Sequence, residues 1–154
     1  MFATNDLVDR VFELLSTTES EADFFHSPVT NPWVLLVEDD DDVACSLQMR
    51  LKELNAEVIR AAAGREGYRR AFMEMPRAII LDYELPDGNG DYVLRRLKET
   101  RDTQQIPVVV MTGCRDSKLE RHMLSLGAAH FLTKPVPWPQ LKAVLSPLIG
   151  KNHD

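Results

Sequence analysis

Short apolar runs, each closing on an acid, a hydroxyl or an amine, constrain this chain more than any other feature. Trp33-Val34-Leu35-Leu36-Val37 ends at Glu38 and Asp39, and Ala78-Ile79-Ile80-Leu81 ends at Asp82. Ile106-Pro107-Val108-Val109-Val110-Met111 ends at Thr112, and His130-Phe131-Leu132-Thr133 ends at Lys134. Continuous apolar runs without alternation predict strands covered on both faces. Residues 57–62 predict a further strand. Between the runs the apolar spacing becomes helical: Val43, Leu47, Leu51 and Leu54, then residues 64–75 closed by Pro76, then Tyr92, Val93, Leu94 and Leu97, then residues 116–126 closed by Gly127. A last helix is expected from Pro139, whose ring suits a first helical position, with Pro147 kinking or ending it. Leu85-Pro86-Asp87-Gly88-Asn89-Gly90 reads as a loop.

Five strands alternating with five helices imply an α/β fold with a parallel sheet covered on both faces. For a sheet this small the expected architecture is flavodoxin-like and doubly wound, five-stranded with order 2-1-3-4-5, carrying an extra N-terminal helix. That order puts the topological switch between strands 1 and 3, and such sheets bind ligands at the carboxyl ends of the strands beside it. Topology therefore converts the run endings into a site: three carboxylates, a hydroxyl and an ammonium on one rim.

The charge is uneven. The 154 residues carry 18 Lys and Arg against 24 Asp and Glu, a net charge of −6. Asp6, Asp9, Glu13, Glu19, Glu21 and Asp23 stand against Arg10 alone, so most of that excess lies in residues 1–32. A basic excess suited to nucleic acid is missing, and no apolar run approaches the roughly 20 residues that span a bilayer. Leu7, Val8, Val11, Phe12, Leu14 and Leu15 predict a short amphipathic helix, and His26-Ser27-Pro28-Val29-Thr30-Asn31-Pro32 reads as a linker. The expected division is an acidic extension and linker over 1–32, one domain over 33–149 and a tail over 150–154. Cys45 and Cys114 form no metal-like pair; two isolated thiols and the lack of a visible secretory signal fit the cytoplasm.

The acids have specific chemistry. Two carboxylates about 5 Å apart repel by roughly 3 kcal/mol at an effective dielectric near 20. A third either raises a pKa or calls for a cation. Hard oxygen ligands of this kind suit Mg2+, and Lys134 adds a point charge able to pair a carboxylate or a phosphoryl oxygen. A carboxylate can also attack phosphorus to give an aspartyl-phosphate.

With these segments in view, the chain resembles the response-regulator receiver domain of two-component signalling, the CheY-like family. The likeness is carried by Val34 to Asp40, by Ile79 to Gly90, by Val108 to Gly113 and by Phe131 to Pro135, in the family's order. It implies that Asp82 accepts a phosphoryl group from a phosphohistidine on a sensor histidine kinase or histidine phosphotransfer protein. It implies that Glu38, Asp39 and Asp82 bind Mg2+ with the backbone carbonyl of Glu84, and that Thr112 and Lys134 contact the phosphoryl oxygens. Thr112 and Phe131 become the switch pair, and the Lys134–Pro135 bond is expected to be cis. Gly88 and Gly90 are read as serving turn geometry. The implied protein is a signalling phosphoacceptor, assisting its own phosphotransfer and dephosphorylation, and not a turnover enzyme. It binds a downstream protein target as monomer or homodimer, with no nucleic acid or membrane bound by this chain and with its output exerted through protein contacts. Asp40 to Asp42 read as a solvated helix start, and His122 and His130 as ordinary helix and strand residues. Glu38 stands where the family often has Asp. Glu84 and Cys114, each two residues past a site residue, occupy positions that influence phosphoryl lifetime.

Two rival readings remain open on sequence alone. A receiver-like scaffold works without phosphorylation. A small phosphohydrolase is faintly suggested by Asp82-Tyr83-Glu84, but its family places the nucleophile on an early strand.

Overall fold

The apolar runs pair side by side into one parallel sheet. The structure is a computed structural model and describes residues 33–150. Strand β1 is Trp33–Val37, β2 Glu57–Ala61, β3 Ala78–Asp82, β4 Val108–Thr112 and β5 His130–Thr133. They lie in the order β2-β1-β3-β4-β5, as the alternation of runs predicts. The helices are α1 (Asp41–Leu51), α2 (Gly64–Glu74), α3 (Gly90–Glu99), α4 (Ser117–Ser125) and α5 (Trp138–Ile149). The expected N-terminal helix, the linker and the tail beyond residue 150 lie outside the described residues.

The strand period of two sorts the central strands between two cores. Val34, Leu36, Ile80, Val109 and Met111 face Leu47 and Leu51 of α1 and Leu141 and Leu145 of α5. Leu35, Val37, Ile79, Leu81, Val108 and Val110 face Ala71 of α2, Leu94 and Leu97 of α3 and Met123 of α4. Each fully buried Leu, Ile or Val contributes about 1.5–3 kcal/mol, and a one-residue slip would send each set into the core shaped for the other. Leu35 pairs with Ile79 and Ile79 with Val108, which aligns the carboxyl ends of β1, β3 and β4 along one rim.

Local chemistry sets the ends. Asp40 caps α1, its carboxylate accepting from the N–H groups of Asp42 and Val43, and Asp116 caps α4 in the same way. Helix α2 begins after Ala63, which has no capping side chain; Asp87, from the loop after β3, accepts from Gly64 N at 2.8 Å and Arg65 N at 3.0 Å instead. That loop is more ordered than its composition suggests, since Glu84–Leu85 pairs antiparallel with Gly88–Asn89.

Three details differ from expectation. Strand β4 starts at Val108, because Pro107 has no N–H and Ile106 is turned back by its N–H bond to Thr103. Helix α5 starts one residue before Pro139, at Trp138. It also continues through Pro147 to Ile149. Pro147 lies in the last turn, where its ring removes a single backbone bond, and buried Leu145 and Ile149 hold the chain in register on either side.

Candidate functional site

Strands β1, β3, β4 and β5 deliver their terminal groups to the rim through short backbone ties. Glu38 follows β1 directly, its N–H bonded to the carbonyl of Ala61 at 3.0 Å. Tyr83 N–H bonds the Met111 carbonyl at 3.0 Å, which fixes the end of β3 against β4. Lys134 N–H bonds the Thr112 carbonyl at 2.7 Å, which joins β5 to β4 at the same level. The Lys134–Pro135 peptide is cis.

These ties bring Lys134 onto the acids. Its Nζ donates to Glu38 Oε1 at 2.9 Å and lies 3.3 Å from Asp82 Oδ1. Glu38 and Asp82 are buried, at 2% and 5% exposure, whereas Asp39 is exposed. Glu38 uses its other oxygen to accept from Asp40 N at 3.1 Å. Asp82 Oδ1 accepts from Glu84 N at 3.3 Å. The Asp39 carboxylate has no hydrogen bond or ion pair among the described residues.

The electrostatics follow from this crowding. Burial pushes the Asp82 carboxyl from its ordinary 3.8 up to about 6; the Lys134 charge pulls it down, the Glu38 charge pushes it further up, and the Glu84 N–H pulls it down. Burial acts to lower the Lys134 pKa, but the Glu38 hydrogen bond and the charges of Asp82 and Glu38 together hold it above its ordinary 10.5. One ammonium thus faces two buried carboxylates.

With Asp39, those carboxylates fit a divalent ion. One oxygen from each of Glu38, Asp39 and Asp82 lies within 4.8 Å of the others. The donors are hard oxygens, their charge exceeds what Lys134 balances, and Asp39 is free to turn toward a cation. This is a donor set for a hard divalent cation, the class to which Mg2+ belongs, rather than for a soft metal.

The remaining sequence-predicted residues surround this group. Thr112 ends β4 fully buried, and its Oγ1 accepts from Cys114 N at 3.1 Å, which leaves its own hydroxyl proton to donate. Phe131 is half-buried on β5 opposite Val110, packed against the α2–α4 core and not among the acids. Gly90 does more than permit a turn: its N–H reaches Tyr83 O at 2.6 Å, and a Cβ there would stand 2.8 Å from the Asp82 carbonyl. Asp40 is exposed at the start of α1, as expected, and it also caps that helix. Two residues escaped the sequence reading. Asp87 joins the loop after β3 to α2, and Arg60 on β2 bonds both the Glu38 carbonyl and Asp41. Neither has a local signature, because each partner is remote in sequence.

Comparison with known proteins decides the family. The model of the response regulator receiver domain matches residues 34–146. The chain belongs to the response regulator receiver domain family. This receiver is 34% identical over 122 residues to the transcriptional regulatory protein AfsQ1 of Streptomyces coelicolor, covering 79% of this chain and 53% of that protein. The receiver chain spans about half the length of the curated relatives it matches. A solved structure of a response regulator from Chloroflexus aurantiacus superposes with a TM-score of 0.74 at 28% identity, over 79% of this chain and 100% of the other. The receiver domain of the histidine kinase PA1611 from Pseudomonas aeruginosa superposes with a TM-score of 0.72 at 24% identity, over 79% of this chain and 100% of that one; that domain holds a magnesium ion in its active-site cleft. Among the described residues, no helix of the receiver is long and apolar enough to cross a membrane.

Proposed function

We propose that the chain is the phosphoacceptor of a two-component or phosphorelay system, with Asp82 as the residue that takes the phosphoryl group. The observation that carries this reading is the contact of Lys134 Nζ with both Glu38 and Asp82, beside an Asp39 whose carboxylate has no partner among the described residues. Glu38, Asp39 and Asp82 would hold Mg2+, with the Glu84 carbonyl completing the protein's share. The ion supplies charge neutralisation on the phosphoryl oxygens.

The protein's own groups do the rest. An Asp82 carboxylate oxygen attacks the phosphorus of a phosphohistidine on a kinase or phosphotransfer partner; the new O–P bond forms as the P–N bond breaks, and the imidazole leaves with the bonding pair. Lys134 shifts from pairing carboxylates to pairing a phosphoryl oxygen, and the Thr112 hydroxyl donates to another. The product adds about two negative charges at a buried position near pH 7. In this reading Thr112 moves toward that charge and Phe131 turns into the vacated space, which remodels the face of α4, β5 and α5 for a protein target. Reversing a 1:99 preference takes a differential of about 5.5 kcal/mol, of which charge-assisted bonds to the phosphoryl group supply part. A cytoplasmic location belongs to the same reading. The test is labelling with acetyl phosphate: wild type should accept the phosphoryl group and Asp82→Asn should not, and equal labelling of both would overturn the assignment.

A further inference from the structure

Strand β2 contributes no acid to the rim, yet it holds Glu38 from two sides. Ala61 accepts the Glu38 N–H at 3.0 Å, and Arg60 Nε donates to the Glu38 carbonyl at 2.9 Å. The same guanidinium places Nη1 at 2.7 Å from Asp41 Oδ1. Arg60 therefore spans from the end of β1 to the first residue of α1 and brackets Asp39 and Asp40. Asp40 is held in turn by its cap bonds and by its N–H to Glu38 Oε2. Asp39 is left with fixed neighbours on both sides and, among the described residues, an unbonded carboxylate.

The Asp41 end of this clamp is 88% exposed, so the ion pair itself contributes little. The held carbonyl is the consequential part, since it sets the direction in which the chain leaves β1. Charge alone acts in the opposite sense: a guanidinium beside an acid cluster repels an approaching cation. A geometric role and an electrostatic role therefore predict opposite effects of removing Arg60.

We propose that Arg60 is a positioning residue for the cation site, touching neither ion nor phosphoryl group but clamping the β1–α1 loop so that Glu38 and Asp39 present their carboxylates to Mg2+. The inference rests on the receiver reading of the acid cluster. Lys at this position keeps the charge but lacks the planar fork that reaches two acceptors.

The test titrates Mg2+ alone into the full chain by calorimetry, for wild type, Arg60→Lys and Arg60→Gln, with amide hydrogen exchange over residues 39–43 measured without metal. Arg60→Lys should weaken Mg2+ binding roughly tenfold, the scale found for residues that orient metal ligands. Arg60→Gln, which also removes the repelling charge, should weaken it less, and both variants should exchange faster over 39–43. Labelling by acetyl phosphate should show the loss in the Mg2+ concentration giving half-maximal rate, with the rate at saturating Mg2+ near wild type. Unchanged affinity in Arg60→Lys, or tighter binding in Arg60→Gln than in wild type, would overturn the proposal. Wild type that binds Mg2+ but accepts no phosphoryl group contradicts the phosphoacceptor reading while the binding comparison still decides Arg60; wild type that binds no Mg2+ overturns both.

Discussion

Lys134 and Glu38 stand 96 positions apart in sequence, and their side chains meet at 2.9 Å on the sheet rim. Glu38 is almost wholly buried there, so the ammonium is its counter-charge as well as a candidate phosphoryl contact. Lys134→Met should leave two buried carboxylates facing each other. Removing one partner of a buried pair costs about 3–5 kcal/mol, and the 23% exposure of the Lys134 side chain puts this case at or below about 3. Urea unfolding of the metal-free protein near pH 7 measures the loss; unchanged stability would mean that the pair holds nothing.

The Asp82 carboxyl behaves in the opposite way from a stabilising salt bridge. Its pKa is raised from 3.8 to about 6 in the folded, metal-free protein, so the folded state binds this proton more tightly than the unfolded state. The resulting stability is full below pH 3.8, declines as the pH rises and is gone above about 6. Asp82→Asn should then stabilise the metal-free protein near pH 7 by about 2 kcal/mol and much less near pH 4. Urea midpoints at the two pH values check this, and a variant less stable at neutral pH would contradict it. The same proton competes with a cation, so Mg2+ affinity should fall as the pH drops through about 6.

Gly90 is fixed by its neighbours. An added Cβ meets the Asp82 carbonyl at 2.8 Å and Tyr83 Cα at 2.9 Å, both backbone atoms with little room to move. Gly90→Ala should cost about 1–3 kcal/mol, as overpacking does, and should slow labelling by shifting the end of β3. A thermal melt and the labelling rate of the same sample report the two effects; a variant unchanged in both would show that the contact is readily relieved.

Asp87 supplies the cap that Ala63 does not. Asp87→Ala should lose about 1 kcal/mol and speed amide exchange in the first turn of α2. The backbone N–H groups of Arg65 and Gly64 lower the Asp87 pKa despite the opposing effect of burial. This contribution is therefore present above the ordinary carboxylate range and is lost as the pH falls through the depressed value. Exchange at Gly64 and Arg65 that is indifferent to the substitution would contradict the capping role.

The residues that were legible in the sequence are those whose reason is local or periodic. Val34 to Val37 and Ala78 to Leu81 announce covered strands because no polar residue interrupts them, and the terminal residues of those runs announce the rim once the strand order is inferred. Arg60 and Asp87 were illegible because their partners, Glu38, Asp41, Gly64 and Arg65, are joined to them only by the fold. Pro147 does not stop the helix at its own position, because the penalty for a helical proline grows with the turns beyond it and here the helix ends at Ile149. The solvated helix start expected at Asp40 is present, and only its bonds to the Asp42 and Val43 N–H groups needed the structure, since a capping carboxylate and an exposed one look alike in sequence. The amphipathic pattern of residues 5–16 lies outside the described residues.

The most direct measurement is intact mass spectrometry after exposure to acetyl phosphate, with Mg2+ and with a chelator, followed by mapping of the modified peptide. A single phosphoryl adduct is expected that requires the metal, resides on Asp82 and is lost in Asp82→Asn. An adduct that forms equally with chelator, or that maps to another residue, would contradict it.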